Sequence, residues 1–362
     1  MDFFENIGER KIIILSTTTK DWSKDEIIYS NTCLDKIRSD IKAAGYKSKM
    51  LIVKSSADLK SKLQKFDQNK VVIFNWVEEI DNLKYGYHIA PQILENMGFI
   101  YTGNNSRTLI NTNDKIAIKK TLLRNKISTP LYTTIKKGFT HLNNWNTYPC
   151  IVKPAHEHCS YGITRRSVVD NEKQLRARAE TLFERYGQPL LIEEFIDGPE
   201  FFVSSWGYNN PEILPLVCQD YSYTKDYHHQ IYDYIAKWRD KTKISHRCST
   251  RLPADKTTDV PESIYLEVSN AIRSTGCLSY CRVDVRVRDN TPYIIDINPN
   301  PDISIQGDFI IATSRRGYNY GQTILKLCDL AIKNYKDYTT KTFKYPKPVF
   351  PPVLPNYATV TA

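Results

Sequence analysis

The stretch from Tyr280 to Pro301 constrains this chain more than any other. Between Tyr280 and Arg288 the side chains alternate, with Cys281, Val283, Val285 and Val287 set against Arg282, Asp284 and Arg286. Tyr293 to Ile297 is apolar and β-branched, and Asp289 and Asn290 between the two runs are turn formers. The pattern predicts a β-hairpin. Alternation places Arg282 with Asp284 on one face of the first strand and Asp296 with Asn298 on one face of the second. A cation and three oxygen ligands then converge, and hard oxygens of this kind suit Mg²⁺, which takes its remaining ligands from water and substrate phosphates. Acids in a hairpin are ordinarily a solvated face. Here the second strand runs on into Pro299, Asn300 and Pro301, a rigid turn that asks for a fixed loop and not for solubilising charge.

The 362 residues have room for two or three domains, and 41% apolar and 25% charged residues are ordinary for a globular chain. The net charge of +10 is spread along the chain, which favours an anionic pocket over a nucleic-acid arm. No apolar run approaches the roughly 20 residues of a membrane span, and MDFFENIGER lacks the basic-then-apolar order of a signal peptide. A cytoplasmic protein is therefore expected. Its eight cysteines are scattered without a C-x-x-C pair and read as reduced thiols.

Toward the N-terminus, KIIIL at Lys11 to Leu15 reads as a buried parallel strand and Asp25 to Ala44 as a helix ending at Gly45. Met50 to Val53, Val71 to Phe74 and Phe99 to Tyr101 are further strands, alternating with the helical stretches Ala57 to Phe66 and His88 to Met97. This is an open α/β domain. Asn113 to Arg124 is an amphipathic helix capped by Asn113 or Thr112, on which Lys115 reads as one more solvated base. PCIVKP at Pro149 to Pro154 is a strand carrying Lys153 inside its apolar run, a placement that asks for a counter-charge such as an anionic ligand. The loop AHEHCSYG follows and leads to a strand at Ile163 to Arg166. His156, His158 and Cys159 lack the second ligand pair of a structural zinc. A loop closing over a phosphate fits them better. Leu190 to Phe195 and Glu200 to Trp206 are strands joined by the Ile196 to Pro199 turn. Gln219 to Arg251 is a long polar loop. Pro261 to Gly276 and Tyr320 to Asn334 are helices, and the proline-rich end is an arm.

In their order and spacing, IVKPAHEHCSYGIT, LIEEFIDGPEF, IYDYIAKW, and RVDVRV with IIDINPNP resemble the ATP-grasp superfamily, and within it the D-alanine:D-alanine ligases. The resemblance runs from about Gly98 to about Lys326. It implies an α/β fold, α+β in its C-terminal half, of three domains with ATP between two antiparallel sheets. The units would be a pre-ATP-grasp domain over 1–107, a small lid over 108–190, a catalytic domain over 191–340 and an arm over 341–362. It implies that Lys115, Lys153 and Ser160 hold the phosphates, that Glu193, Glu194, Phe195, Ile196 and Ile295 line the adenine, and that Glu200 takes the ribose. Asp284, Asp296 and Asn298 would bind two Mg²⁺, or Mn²⁺ in their place. Arg282 and Lys237 would serve the transferring phosphoryl. The substrates would be small-molecule or peptide carboxylates and amines, with nucleic acid and membrane disfavoured and a homodimer left open.

The chain departs from the family where amino acids would bind. Ser16 to Lys20 replaces a Gly-rich turn with a Glu, His158 and Cys159 replace a Gly-Ser pair, Trp238 replaces a Tyr, and Asp302 and Gly307 align with a Gly and a Ser. The expectation is a carboxylate:amine ligase whose substrates are not two D-alanines. The alternatives are a D-alanine:D-alanine ligase and a non-catalytic nucleotide- or peptide-binding module.

Overall fold

The structure is a computed structural model that describes residues 4–17, 22–81, 83, 86–136, 142, 144–208, 211–222, 224–232, 251–253 and 260–339. Lys237, Trp238, most of the Gln219 to Arg251 loop, Thr18 to Lys20 and the arm 341–362 lie outside the described residues. Among the described residues, three sheets carry the fold. In the first, β1 (Lys11–Thr17) lies between β2 (Ser48–Val53) and β3 (Val71–Trp76), all parallel. Ile12 to Leu15 are fully buried, which is why this run is continuous and not alternating. The helices α1 (Lys24–Ala43), α2 (Ser56–Leu63) and α3 (Ile89–Asn96) flank it, α1 held at its start by a Ser23–Glu26 capping box. Phe99 to Tyr101 is no strand: it contributes a single parallel bridge, Tyr101 to Ile73.

After the short α4 (Ser106–Asn111), α5 (Lys115–Arg124) starts two residues later than the Asn113 the sequence suggests. Its cap is Asp114, whose carboxylate accepts from the Ile116 N–H. The second sheet is antiparallel in the order β4 (Tyr132–Ile135), β7 (Leu190–Glu194), β5 (Cys150–Pro154), β6 (Val168–Val169), with α6 (Glu172–Tyr186) packed behind it. The strand expected over Ile163 to Arg166 is absent. Arg165–Ser167 forms a 3₁₀ turn capped by Thr164, and the strand begins at Val168.

The third sheet has the order β11 (Arg251–Pro253), β10 (Val217–Gln219), β8 (Glu200–Trp206), β12 (Tyr280–Arg288), β13 (Thr291–Asn298), with β9 (Glu212–Ile213) on β8. Between β7 and β8, Gly198 sits at φ +148°, where a Cβ would lie 2.0 Å from the Val287 carbonyl oxygen. Only glycine lets the turn approach β12 this closely. The predicted hairpin forms, and Asp289 and Asn290 both take positive φ, as a two-residue turn matched to strand twist requires. Val283, Val285 and Val287 pack with Phe201 and Val203 against α5 and α7 (Ser263–Thr275). Burying each such side chain is worth about 1.5–3 kcal/mol. That packing commits the opposite face of β12 to the cleft. The described residues end with α8 (Asp308–Arg315) and α9 (Tyr320–Thr339), which packs on α1.

Candidate active site

A cleft between the second and third sheets gathers nearly every residue the motifs singled out. On its floor, the register pairs Arg282 with Asn298 and Asp284 with Asp296. A β-bulge follows, because Val285 pairs with Ile294 and leaves Ile295 extra. Ile295 and Asp296 therefore both line the cleft. These acids are not a solvated face, since Asp284 is buried at 8% exposure. Asp284 receives two bonds from Arg282, Nε at 2.6 Å and Nη2 at 2.9 Å, while Arg282 Nη1 donates to Asp308 at 2.9 Å and the guanidinium lies over Phe202. Burial pushes the Asp284 carboxyl up to about 6 against the pull of Arg282. Asp296 moves the other way. Burial disfavours its charge, but Lys115, at 3.7 Å, and the positive groups beyond it outweigh that and hold it low. Asn298 donates to Asp284 at 3.3 Å.

Helix α5 and strand β5 supply cations. Lys115 is buried, not solvated, and its ammonium donates to the Glu157 carbonyl at 2.6 Å. Lys153 has a counter-charge within the chain: Glu193 lies 2.6 Å away, so the structure does not leave this lysine waiting for an anionic ligand. The Glu193 side chain turns inward and also meets Lys119 at 2.5 Å. Lys119 donates further to Thr129 at 2.6 Å and to the Ile294 carbonyl at 3.0 Å, beside the bulge. Burial and the neighbouring Lys153 lower the Lys119 pKa, whereas for Lys153 the attraction of Glu193 more than offsets burial and raises it. Two ammoniums share one carboxylate. The surplus positive charge suits a polyanion.

At the far end of the cleft, Glu194 pairs with Arg288 at 2.7 Å. Phe195, Ile196 and Glu200 line the wall. Glu200 is not an isolated carboxylate: its Oε2 accepts from Arg286 Nη2 at 2.8 Å and Nε at 3.1 Å, and from the Tyr221 hydroxyl at 2.9 Å. In the loop after β5, Cys159 and Ser160 both adopt positive φ. Ser160 donates to the Tyr232 carbonyl at 2.8 Å, bridging the loop to the segment that precedes the undescribed stretch. His158 meets Asn113 Oδ1 at 2.5 Å and stands edge-on to Tyr87, whose hydroxyl donates to the same oxygen. Burial pushes His158 down to about 3, which keeps it neutral.

Asp302 does not join this group. It is exposed, lies outside the cleft lining, and accepts from the Ser304 N–H. Lys119, Asp308 and Arg286 were not foreseen as site residues. A buried arginine on the Arg282–Asp284 face was readable from the alternation, but its partners were not.

The arrangement offers paired carboxylates and an amide for a divalent metal, and lysines for phosphates. The donor set fits both groups. Residues 125–329 match the family described as "D-ala D-ala ligase C-terminus". An uncharacterized protein, y4sG, of Sinorhizobium fredii is 28% identical over 267 residues, covering 73% of this chain and 75% of its own. A D-alanine–D-alanine ligase of Desulforamulus reducens is 29% identical over 69% of this chain and 79% of its own. The crystal structure of a Bacillus anthracis D-alanine–D-alanine ligase complexed with ATP superposes with a TM-score of 0.67 at 19% identity, covering 91% of this chain and 99% of that one. At that identity the likeness speaks to the fold.

Proposed function

The chain belongs to the D-ala D-ala ligase C-terminus family and is an ATP-dependent ligase forming C–N bonds, and from that premise we propose that it joins a carboxylate to an amine through an acyl phosphate. The carrying observation is the facing of Lys115 and Lys153 against Asp284, Asp296 and Asn298 across one cleft. In the proposed reaction a carboxylate oxygen attacks the γ-phosphorus of ATP, the bond to the β-bridging oxygen breaks, and ADP leaves. The amine then attacks the acyl carbon, inorganic phosphate departs with the bonding pair, and the nitrogen loses a proton. Lys115, Lys153 and Ser160 hold the phosphates, and Arg282 faces the charge that develops on the phosphoryl and then on the tetrahedral oxyanion. Lys237 is assigned to the γ-phosphate. Asp284, Asp296 and Asn298 are assigned to two Mg²⁺, or Mn²⁺, which when bound neutralise phosphate charge. Segments that close the cleft exclude water, which would otherwise hydrolyse the acyl phosphate. The reading places the enzyme in the cytoplasm.

The acid substrate is proposed to be something other than D-alanine. Cys159 and Trp238 stand where the resembled family has a Ser and a Tyr. A thiol bonds weakly and an indole donates only, so neither accepts well from an ammonium. An indole also offers an apolar or cation–π wall, which suits a larger, aromatic or peptide-like acid. ADP release with a panel of acids and amines tests this. Turnover of D-alanine alone near the median enzyme rate of about 10 s⁻¹ would return the protein to the substrate its ligase relatives are named for, and ATP binding without ADP release on any pair would favour the non-catalytic reading.

A further inference from the structure

Arg286 is buried at 4% exposure on the cleft face of β12, directly opposite Glu200 in the β8–β12 register. A lone cross-strand ion pair would need only one arm of the guanidinium. Here every nitrogen is used: Nε and Nη2 reach Glu200 Oε2, Nη1 donates to the Ile196 carbonyl at 2.9 Å, and Nη2 also meets the Gln230 carbonyl. The Tyr221 hydroxyl adds a third bond to the same Glu200 oxygen. None of these three bonds uses Oε1, so the carboxylate is gripped by one oxygen and aimed by the other. The Gln230 contact ties this grip to the segment whose Tyr232 carbonyl receives the Ser160 hydroxyl of the loop after β5.

We propose that Arg286, with Tyr221, is a positioning residue for the nucleotide's sugar: it fixes Glu200 so that one carboxylate oxygen reads a ribose hydroxyl, and it joins that seat to the segment closing over the phosphate loop. The inference rests on the ATP reading above. Arginine is suited to this because its planar fork meets a carboxylate and two carbonyls in one fixed geometry, which an ammonium cannot reproduce.

The test is calorimetric titration of the full chain, without acid substrate, with Mg·ATP, Mg·2′-deoxyATP and Mg·3′-deoxyATP. In the parent, ATP should bind on the order of tenfold more tightly than the weaker deoxynucleotide, as a hydrogen bond to a held carboxylate implies. Arg286→Lys should lose most of that ratio, and Tyr221→Phe part of it. General loosening of the site would weaken all three nucleotides together and leave the ratio standing. A folded variant of either kind that keeps the parental ratio overturns the proposal, and if Arg286→Lys does not fold, Tyr221→Phe decides alone. A parent that binds ATP without discriminating also overturns it. A parent that binds none of the three removes the nucleotide reading, and this inference with it.

Discussion

Replacing Glu193 by Gln keeps the shape of the side chain and strips its charge. The carboxylate is 1% exposed and stands 2.5 Å from Lys119 and 2.6 Å from Lys153, whose side chains are themselves 2% and 10% exposed. At an effective dielectric of about 20, each contact represents on the order of 6 kcal/mol of attraction. Desolvation of three ions consumes much of it. What the substitution removes is the compensation for two ammoniums that remain buried, a loss of about 3–5 kcal/mol. For a chain of this size, at about 2.1 cal/mol/K of unfolding entropy per residue, that lowers the melting temperature by ~4–7 °C. Urea denaturation followed by circular dichroism at neutral pH measures it. The reasoning also fixes the sign of a second change: adding Lys119→Met to Glu193→Gln removes one of the stranded cations, so the double variant should be more stable than the single. The Ile294 carbonyl then keeps a donor in the Thr129 hydroxyl, at 2.8 Å. A loss below about 1 kcal/mol for Glu193→Gln, or a double variant weaker than the single, would refute the account.

Asp284→Asn and Asp296→Asn should each remove most ATP turnover while the chain still folds, and activity within a few-fold of the parent would sink the metal assignment. Mg·ATP should raise the parent's melting temperature because only the folded state binds it, and Lys153→Ala should abolish that shift at the same nucleotide concentration. His158 sets a pH dependence. Its folded pKa of about 3 lies below the ordinary histidine value, so between these limits the unfolded chain binds the extra proton. The stability it contributes is full above about pH 6.5 and falls by up to about 1.4 kcal/mol per pH unit on acidification. His158→Gln should flatten the denaturation profile between pH 6.5 and 4, and an unchanged slope would contradict the burial of this ring.

The hairpin and the N-terminal parallel sheet were legible because their signals are local. Alternation over nine residues, a turn pair at Asp289 and Asn290, and the unbroken KIIIL run each decide one element without reference to distant chain. The site was half legible for the same reason. Lys115, Lys153, Arg282, Asp284 and Asp296 sit in recognisable stretches, but what each touches depends on pairings across the fold. Lys119 lies one turn beyond Lys115 on a helix of mixed character and reads as solvent-facing until Glu193, far along the chain, is seen to cover it. Arg286 and Glu200 meet across 86 positions of sequence. The missing strand at Ile163 to Arg166 was lost to a Thr164 hydroxyl that accepts a backbone N–H and favours a tight turn.

The extra residue in β13 turns one strand into two half-strands of opposite phase. Upstream of Ile295, Ile294 points into the core opposite Val285. Downstream, Ile297 does so opposite Val283, although the two isoleucines are an odd number of positions apart. A strictly alternating strand would have sent Asp296 and Asn298 inward with Ile294, or Ile294 outward with them. The hairpin therefore behaves like a message with a single corrective insertion. Removing Ile295 would leave Asp296, Ile297 and Asn298 on the faces they already hold, as an unbroken ladder with Asp284, Val283 and Arg282, whereas ironing out the bulge with Ile295 kept would throw every later side chain onto the wrong side of the sheet, exchanging the wall of the cleft for the wall of the core.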